Sequence, residues 1–227
     1  MTEPDRDPSA RAGRCRANYD LYRGQTPGQT LGPFFRQGLL RTRDVFHVPG
    51  PSCPERDVFD NVLAAPGAFG EPIAIEGCVY DGLGAPIGDA LLEVWQADGR
   101  GRYQHALDPS AEPRDPRFRG FGRAATDVRG GYTFASVKPG AVQGPNGGLQ
   151  APHVNLVLGA RGMTRHAFTR IYFDGDAALA ADAVLALVPA QRRQTLIARR
   201  SGLREGVSVY RFDVRLQGEH ETVFFEL

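Results

Sequence analysis

The sequence predicts an all-β fold, a two-sheet β-sandwich core with short helices and an extended N-terminal arm. Two observations lead to this prediction. Short stretches in which apolar and polar residues alternate recur from Ile73 onwards, and this pattern suits strands with one buried face. Turn signals such as Asp81-Gly82 and Lys138-Pro139-Gly140 separate the stretches, as is typical of sandwiches.

The chain divides into three segments. Residues 1–24 hold Pro, Arg, Asp and Gly with few apolar residues, so we expect a flexible N-terminal extension. Residues 25–72 begin with QTPGQTLGPFF, in which proline and glycine favour an extended backbone. We expect this segment to be an arm with a short helix near 57–63 that packs on a partner; a Pro-rich linker is the alternative interpretation. Residues 73–227 are expected to form the sandwich domain.

Within the sandwich, alternation and turn signals predict the strands one by one. The predicted strands are 73–80, 90–96, 120–126, 132–137, 153–158, 167–173, 208–216 and 222–226. A second short helix is predicted at 191–200, where four arginines would form a solvated face. No sequence repeat is present.

Composition excludes several classes of function. The formal net charge of +1 gives no bulk attraction to nucleic acid or membranes. No apolar run has the roughly 20 residues that span a bilayer, and the polar N-terminus does not resemble a secretory signal. Three widely spaced cysteines, Cys15, Cys53 and Cys78, indicate free thiols in a reducing compartment, so we expect a cytoplasmic protein.

Histidines are the natural candidates for metal or acid–base chemistry, and five are present. His47, His105, His166 and His220 are scattered and are expected to be structural or solvated. His153 differs, because it follows Pro152 and opens a predicted strand. Residues i and i+2 of a strand share a face, so a His-x-His pair at 153 and 155 could bind one metal. Asn155 occupies the second position, and a neutral amide is a poor iron ligand.

Other residues that could carry chemistry give weaker signals. Arg161, Arg165 and Arg170 lie on or beside two predicted strands, where arginines form surface ion pairs or, alternatively, a carboxylate clamp. The sequence contains neither a phosphate-binding GxxxxGK[ST] loop nor a serine-nucleophile elbow.

A set of segments, in order along the chain, resembles the intradiol ring-cleavage dioxygenases. The similar segments are LEVWQAD with GRY (92–103), FGRAAT (121–126), VKPG (137–140), APHVN (151–155), TRIYF (169–173), QRRQTLIA (191–198), QGEHETVFF (217–225) and residues 26–33 of the arm. Each is weak alone, but their order and spacing make the resemblance specific. It is strongest to those chains of the family that keep the fold and have lost the metal ligands.

The resemblance implies a site that no longer binds metal. Catalytic chains of the family hold ferric iron with two tyrosines and two histidines. The corresponding positions here are Ser110, Val142, His153 and Asn155, and Gln150 stands where catalytic chains have an arginine. The implied expectation is that this chain has no catalytic residue and binds no metal, that Fe(III) sits in a partner β subunit, and that Tyr103 in the GRY segment is structural.

The resemblance also implies a supporting role as an α subunit. A catalytic β subunit, a higher hetero-oligomer of αβ pairs and a small aromatic acid, protocatechuate, at the interface are the implied partners. Thr30, Gly32, Pro33 and Arg161 would line the substrate pocket, with Arg161 approaching the substrate carboxylate. The alternatives are an α-like subunit for another substituted catechol, a self-sufficient dioxygenase with its four ligands in one chain, and a non-enzymatic β-sandwich binding module.

Overall fold

The computed structural model describes residues 61–108, 113–144 and 147–226. Their strands are β1 (Pro72–Tyr80), β2 (Leu91–Gln96), β3 (Phe121–Ala125), β4 (Gly131–Val137), β5 (Val142–Gln143), β6 (Leu149–Gln150), β7 (His153–Gly159), β8 (Ala167–Phe173), β9 (Ile197–Arg204), β10 (Val207–Arg211) and β11 (Val214–Arg215). Between β8 and β9 lie two 3-10 helices, Ala177–Ala181 and Ala190–Leu196, and between these the α-helix α1, Ala183–Leu187. In these ranges, no helix combines the length and the apolar character needed to cross a membrane.

The strands form two layers, which confirms the predicted β-sandwich. In one layer β4 and β10 flank β1, and β9 follows β10; β11 continues beside the end of β1. In the other layer the order is β9-β8-β7-β2-β3. Strand β9 belongs to both layers, because Ile197 and Ala198 pair with β8 whereas the rest of the strand pairs with β10.

Alternation along the strands builds one core between the layers. Ile73, Ile75 and Val79 of β1 and Leu156 and Leu158 of β7 are all buried in it. The rings of Phe173 and Tyr210 meet edge to face, with centroids 5.0 Å apart, and so join the two layers. Because alternate residues face opposite ways, His153 and Asn155 lie on the outer face of the second layer.

Six predicted strands, from 73–80 through 167–173, match β1 to β4, β7 and β8 to within one residue at each end.

The strand predicted at 208–216 is divided into β10 and β11. Its alternation is interrupted at Val209 and Tyr210, where the register with β9 shifts. Pairing of β10 with β1 ends at Arg211, and the N–H of Phe212 donates to the Glu76 carbonyl at 2.8 Å. At the next residue the Asp213 carboxylate, in place of a backbone carbonyl, accepts the Cys78 N–H at 2.8 Å. The strand predicted at 222–226 is wrong, since these residues form only one isolated bridge, Phe168 with Phe225.

The helix prediction at 191–200 is correct only as far as Leu196, where the second 3-10 helix ends and β9 begins. Glu205 and Gly206 both have positive φ, 52° and 82°. This is the conformation of a two-residue hairpin turn, and the turn fixes the pairing of β9 with β10.

The helix predicted near 57–63 lies mainly outside the described residues. Its last part is not helical, because Leu63 donates its N–H to the Ala135 carbonyl at 2.8 Å and packs in the core.

Candidate functional site

A row of polar side chains crosses the outer face of β2, β7 and β8. On these strands Trp95 of β2 lies opposite Asn155 of β7, and Asn155 in turn lies opposite Arg170 of β8. Two residues away along β7, His153 lies opposite Tyr172 of β8. The opposite face of the same strands is the apolar core. The strand alternation therefore places these polar and aromatic groups together, where the 177–196 segment and the loop after β2 cover them.

His153 is the buried member of this row, with 3% of its surface exposed. Its Nδ1 lies 2.8 Å from the Ala151 carbonyl oxygen, and since a carbonyl only accepts, Nδ1 carries the proton of the neutral ring. Burial, followed by the positive charge of Arg170, lowers the pKa of His153 to about 4. The imidazole is therefore neutral near pH 7, with Nε2 as its lone-pair nitrogen.

Arg170 provides the positive charge of the row. Its Nη1 donates to Gln150 Oε1 at 2.8 Å and lies 3.4 Å from the hydroxyl oxygen of Tyr172. Gln150 in turn is the register partner of Val142 in the short β5–β6 hairpin. Val142, Gln150, His153, Asn155 and Arg170, called here the degenerate site, are therefore brought to one place by β5 to β8.

Asp182 supports the degenerate site from the covering segment. Its carboxylate accepts the N–H of Ala151 at 2.8 Å, the N–H of Leu185 at 2.7 Å and the hydroxyl of Tyr172 at 3.1 Å. Asp182 has only 1% of its surface exposed. It fixes the start of α1 and the chain just before His153, so it is a positioning residue for the site.

Tyr103 approaches the row from the loop after β2. Its ring stacks on Trp95 with centroids 5.9 Å apart and an angle of 8° between the ring planes. The Tyr103 N–H donates to Asp108 Oδ2 at 2.7 Å, which holds the loop. Burial raises the pKa of Tyr103, against the opposing effects of the Arg170 charge and of a hydrogen bond from the Asn155 amide. The phenol therefore keeps its proton at neutral pH.

The other positions expected from the sequence lie elsewhere. Arg161 follows the far end of β7, where its Nε is 3.1 Å from Asp89 Oδ2 and 63% of its side chain is exposed. Ser110 and the arm residues Thr30, Gly32 and Pro33 lie outside the described residues. Roles for all of these positions stay predictions.

Sequence reasoning left Arg170 undecided between a surface pair and a clamp, and it missed Tyr172 and Asp182. Alternation within Ala167–Phe173 does place Arg170 and Tyr172 on one face. Alternation alone does not predict the register in which β7 pairs with β8. The contact of this face with Asn155 depends on that register. Asp182 carries the N-cap signal of a helix, and that signal could have found it.

Comparisons with known proteins show which proteins this chain is similar to. A family model described as Dioxygenase matches residues 56–218. The protocatechuate 3,4-dioxygenase alpha chain of Burkholderia cepacia is 42% identical over 212 residues, covering 89% of this chain and 98% of that one. The beta chain from the same organism is 36% identical over 173 residues, 74% of each chain. The crystal structure of catechol 1,2-dioxygenase from Pseudomonas arvilla C-1 is similar with a TM-score of 0.54 at 25% identity, covering 69% of this chain and 55% of that one.

Proposed function

Because this chain belongs to the intradiol ring-cleavage dioxygenase family, we propose that it is the supporting α subunit of a protocatechuate 3,4-dioxygenase. The enzyme would insert both atoms of O2 between the two hydroxyl-bearing carbons of protocatechuate and release 3-carboxy-cis,cis-muconate. The likeness to the Burkholderia cepacia alpha chain over almost its whole length supports the α role. The likeness to the beta chain supports a related catalytic partner.

The observation that carries this proposal is the set of side chains at the degenerate site. Intradiol dioxygenases use ferric iron, and the residues present here do not fit that ion. His153 offers one neutral nitrogen, Asn155 a neutral amide and Val142 no donor, whereas ferric iron prefers anionic oxygen ligands. The described residues also contain no group of three or more His, Cys, Asp or Glu close enough to hold a metal.

We therefore place the ferric ion in the β subunit, where it would supply the activation of the catechol toward O2. This chain would supply shape and charge to that pocket. The arm residues Thr30, Gly32 and Pro33 would form part of its wall, within the 25–72 segment that we propose packs on the partner. Reduced thiols such as Cys78 favour a cytoplasmic complex of αβ pairs.

Co-expression with an intact-site β chain tests the proposal. We expect only the mixture to form a stable complex, to carry iron and to turn over protocatechuate, because neither chain alone has both the ligands and the complete pocket. Size-exclusion chromatography, an iron assay and O2 uptake are measured for the mixture and for each chain alone. Iron binding and catechol turnover by this chain alone would contradict it.

Arg161 is the residue of this chain that we propose faces the substrate carboxylate. It is on the surface, and its guanidinium is only partly satisfied by Asp89. A planar cation that stays charged suits a carboxylate that enters an interface pocket.

Replacing Arg161 tests this role in the αβ complex. We expect Arg161→Ala to raise KM for protocatechuate about tenfold, the effect of losing one charge-assisted hydrogen bond. KM for unsubstituted catechol, which has no carboxylate, should change little. Arg129→Ala, at the exposed turn before β4, serves as a matched control for loss of an arginine. Equal losses for both substrates would remove Arg161 from the pocket.

A further inference from the structure

The guanidinium of Arg170 has fewer hydrogen-bond acceptors around it than its N–H groups could bind. Only Nη1 has protein partners among the residues the structure describes, Gln150 Oε1 at 2.8 Å and the more distant Tyr172 hydroxyl. Nε and Nη2 point to no acceptor in those ranges. Arginine carries five N–H donors in a fixed fork, so most of this fork remains available.

The charge of Arg170 is also not matched by a carboxylate in the described part of the chain, where its side chain forms no ion pair. Asp182 is on the other side of Tyr172, and its two oxygens are already occupied by two backbone N–H groups and the Tyr172 hydroxyl. His153 adds no charge at neutral pH. The charge of Asp182 balances that of Arg170 only from beyond the Tyr172 hydroxyl. The free edge of the Arg170 guanidinium therefore has no carboxylate in direct contact among the described residues, and a carboxylate ligand could fill that place.

A second donor and an aromatic wall stand beside Arg170. Asn155 is the register partner of Arg170, and both side chains lower the pKa of the Tyr103 phenol, so the three side chains are neighbours. The protonated Tyr103 hydroxyl can donate a hydrogen bond. The Trp95 and Tyr103 rings stack next to this point. Gln150, Asn155, Arg170 and Tyr103 are all partly exposed, so solvent reaches these polar groups.

We propose that the degenerate site binds a small carboxylate, held by the free edge of the Arg170 guanidinium and by the Tyr103 hydroxyl. A carboxylate matches the arginine fork with two parallel hydrogen bonds, and the Trp95–Tyr103 stack can contact an attached apolar group.

Trp95 allows a direct test, because it is the only tryptophan of the chain and lies beside Asn155. The full-length chain is titrated with acetate and with benzoate at constant ionic strength while Trp95 fluorescence is followed. We expect a saturable change for both probes. Arg170→Gln should weaken it by about 10- to 100-fold, the effect of losing a charged hydrogen-bond donor, and Arg170→Lys should weaken it less.

Arg165→Gln is the matched control. Arg165 lines a separate open cleft of about 390 Å³ together with His166 and Met163, and it should not affect the titration. Each variant is first checked by circular dichroism. The proposal is overturned if neither probe changes Trp95 fluorescence in the wild-type chain, if a folded Arg170→Gln chain responds as the wild type does, or if Arg165→Gln abolishes the response. None of these outcomes decides whether the chain assembles with a β subunit, because the co-expression experiment tests that proposal separately.

Discussion

A buried neutral histidine beside an arginine has a predictable effect on stability. His153 is held by the Ala151 carbonyl, but burial and the Arg170 charge both oppose its protonation. In the unfolded chain the same imidazole has its ordinary pKa of 6.5. As pH falls from 6.5 towards 4, the unfolded chain therefore binds a proton that the folded chain does not, and folding is disfavoured.

We predict that His153 makes the protein less stable towards acid. The free energy of unfolding should fall by about 3 kcal/mol between about pH 7 and about pH 4, and this contribution should change no further below that window. Urea unfolding of the wild type and of His153→Gln at several pH values measures it. The His153→Gln curve should be flatter, and the exposed His166→Gln should follow the wild type. Parallel curves for wild type and His153→Gln would contradict the prediction.

At the scale of single elements, the central strand β1 depends on one glycine. A Cβ placed on Gly77 would lie 1.7 Å from the Phe212 carbonyl oxygen and 2.8 Å from the Tyr132 hydroxyl. That hydroxyl donates to the same carbonyl at 2.6 Å. The close approach of β1 to the junction between β10 and β11 is therefore possible only without a side chain at 77.

We predict that Gly77→Ala destabilises the fold by more than about 3 kcal/mol, because the neighbouring group that must shift is backbone within the sheet. Gly148→Ala is the matched control, since nothing lies within 4 Å of a Cβ placed there, and it should change stability by less than about 0.5 kcal/mol. Urea unfolding of both variants measures the difference. Similar midpoints for the two would show that β1 can move away from Phe212.

The elements also show what the sequence could and could not predict. β1 was predicted to within a residue because its burial alternates from end to end. β7 and β8 were predicted equally well, although each has buried residues on both faces, because a short, largely apolar run between turn signals also indicates a strand. β9 was missed because most of it is exposed and it reads IARRSGLR, with no regular apolar face. Its pairing comes instead from the turn at Glu205 and Gly206. The placement of Arg170 against Asn155 and Gln150 is a matter of register and long-range contact, which local pattern does not contain.

At the scale of the whole molecule, β7 separates the two positions for which we propose functions. His153 opens the strand, and Arg161 follows its other end; at about 3.3 Å per residue the strand between them is about 20 Å long. The degenerate site and the proposed contribution to the partner's pocket are thus at opposite ends of one sandwich. Variants at one end should leave the other unchanged, which is why Arg161 and Arg170 can be tested independently.

Strand β9, which pairs with β8 at its start and with β10 afterwards, has a consequence for cooperativity. Neither layer can open without breaking a strand of the other, so the sandwich should unfold as one unit without a half-open intermediate. Native-state hydrogen exchange measures this: the slowest amides of β1 and of β7 should give the same opening free energy, and a much lower value for either strand would mean that its layer opens alone.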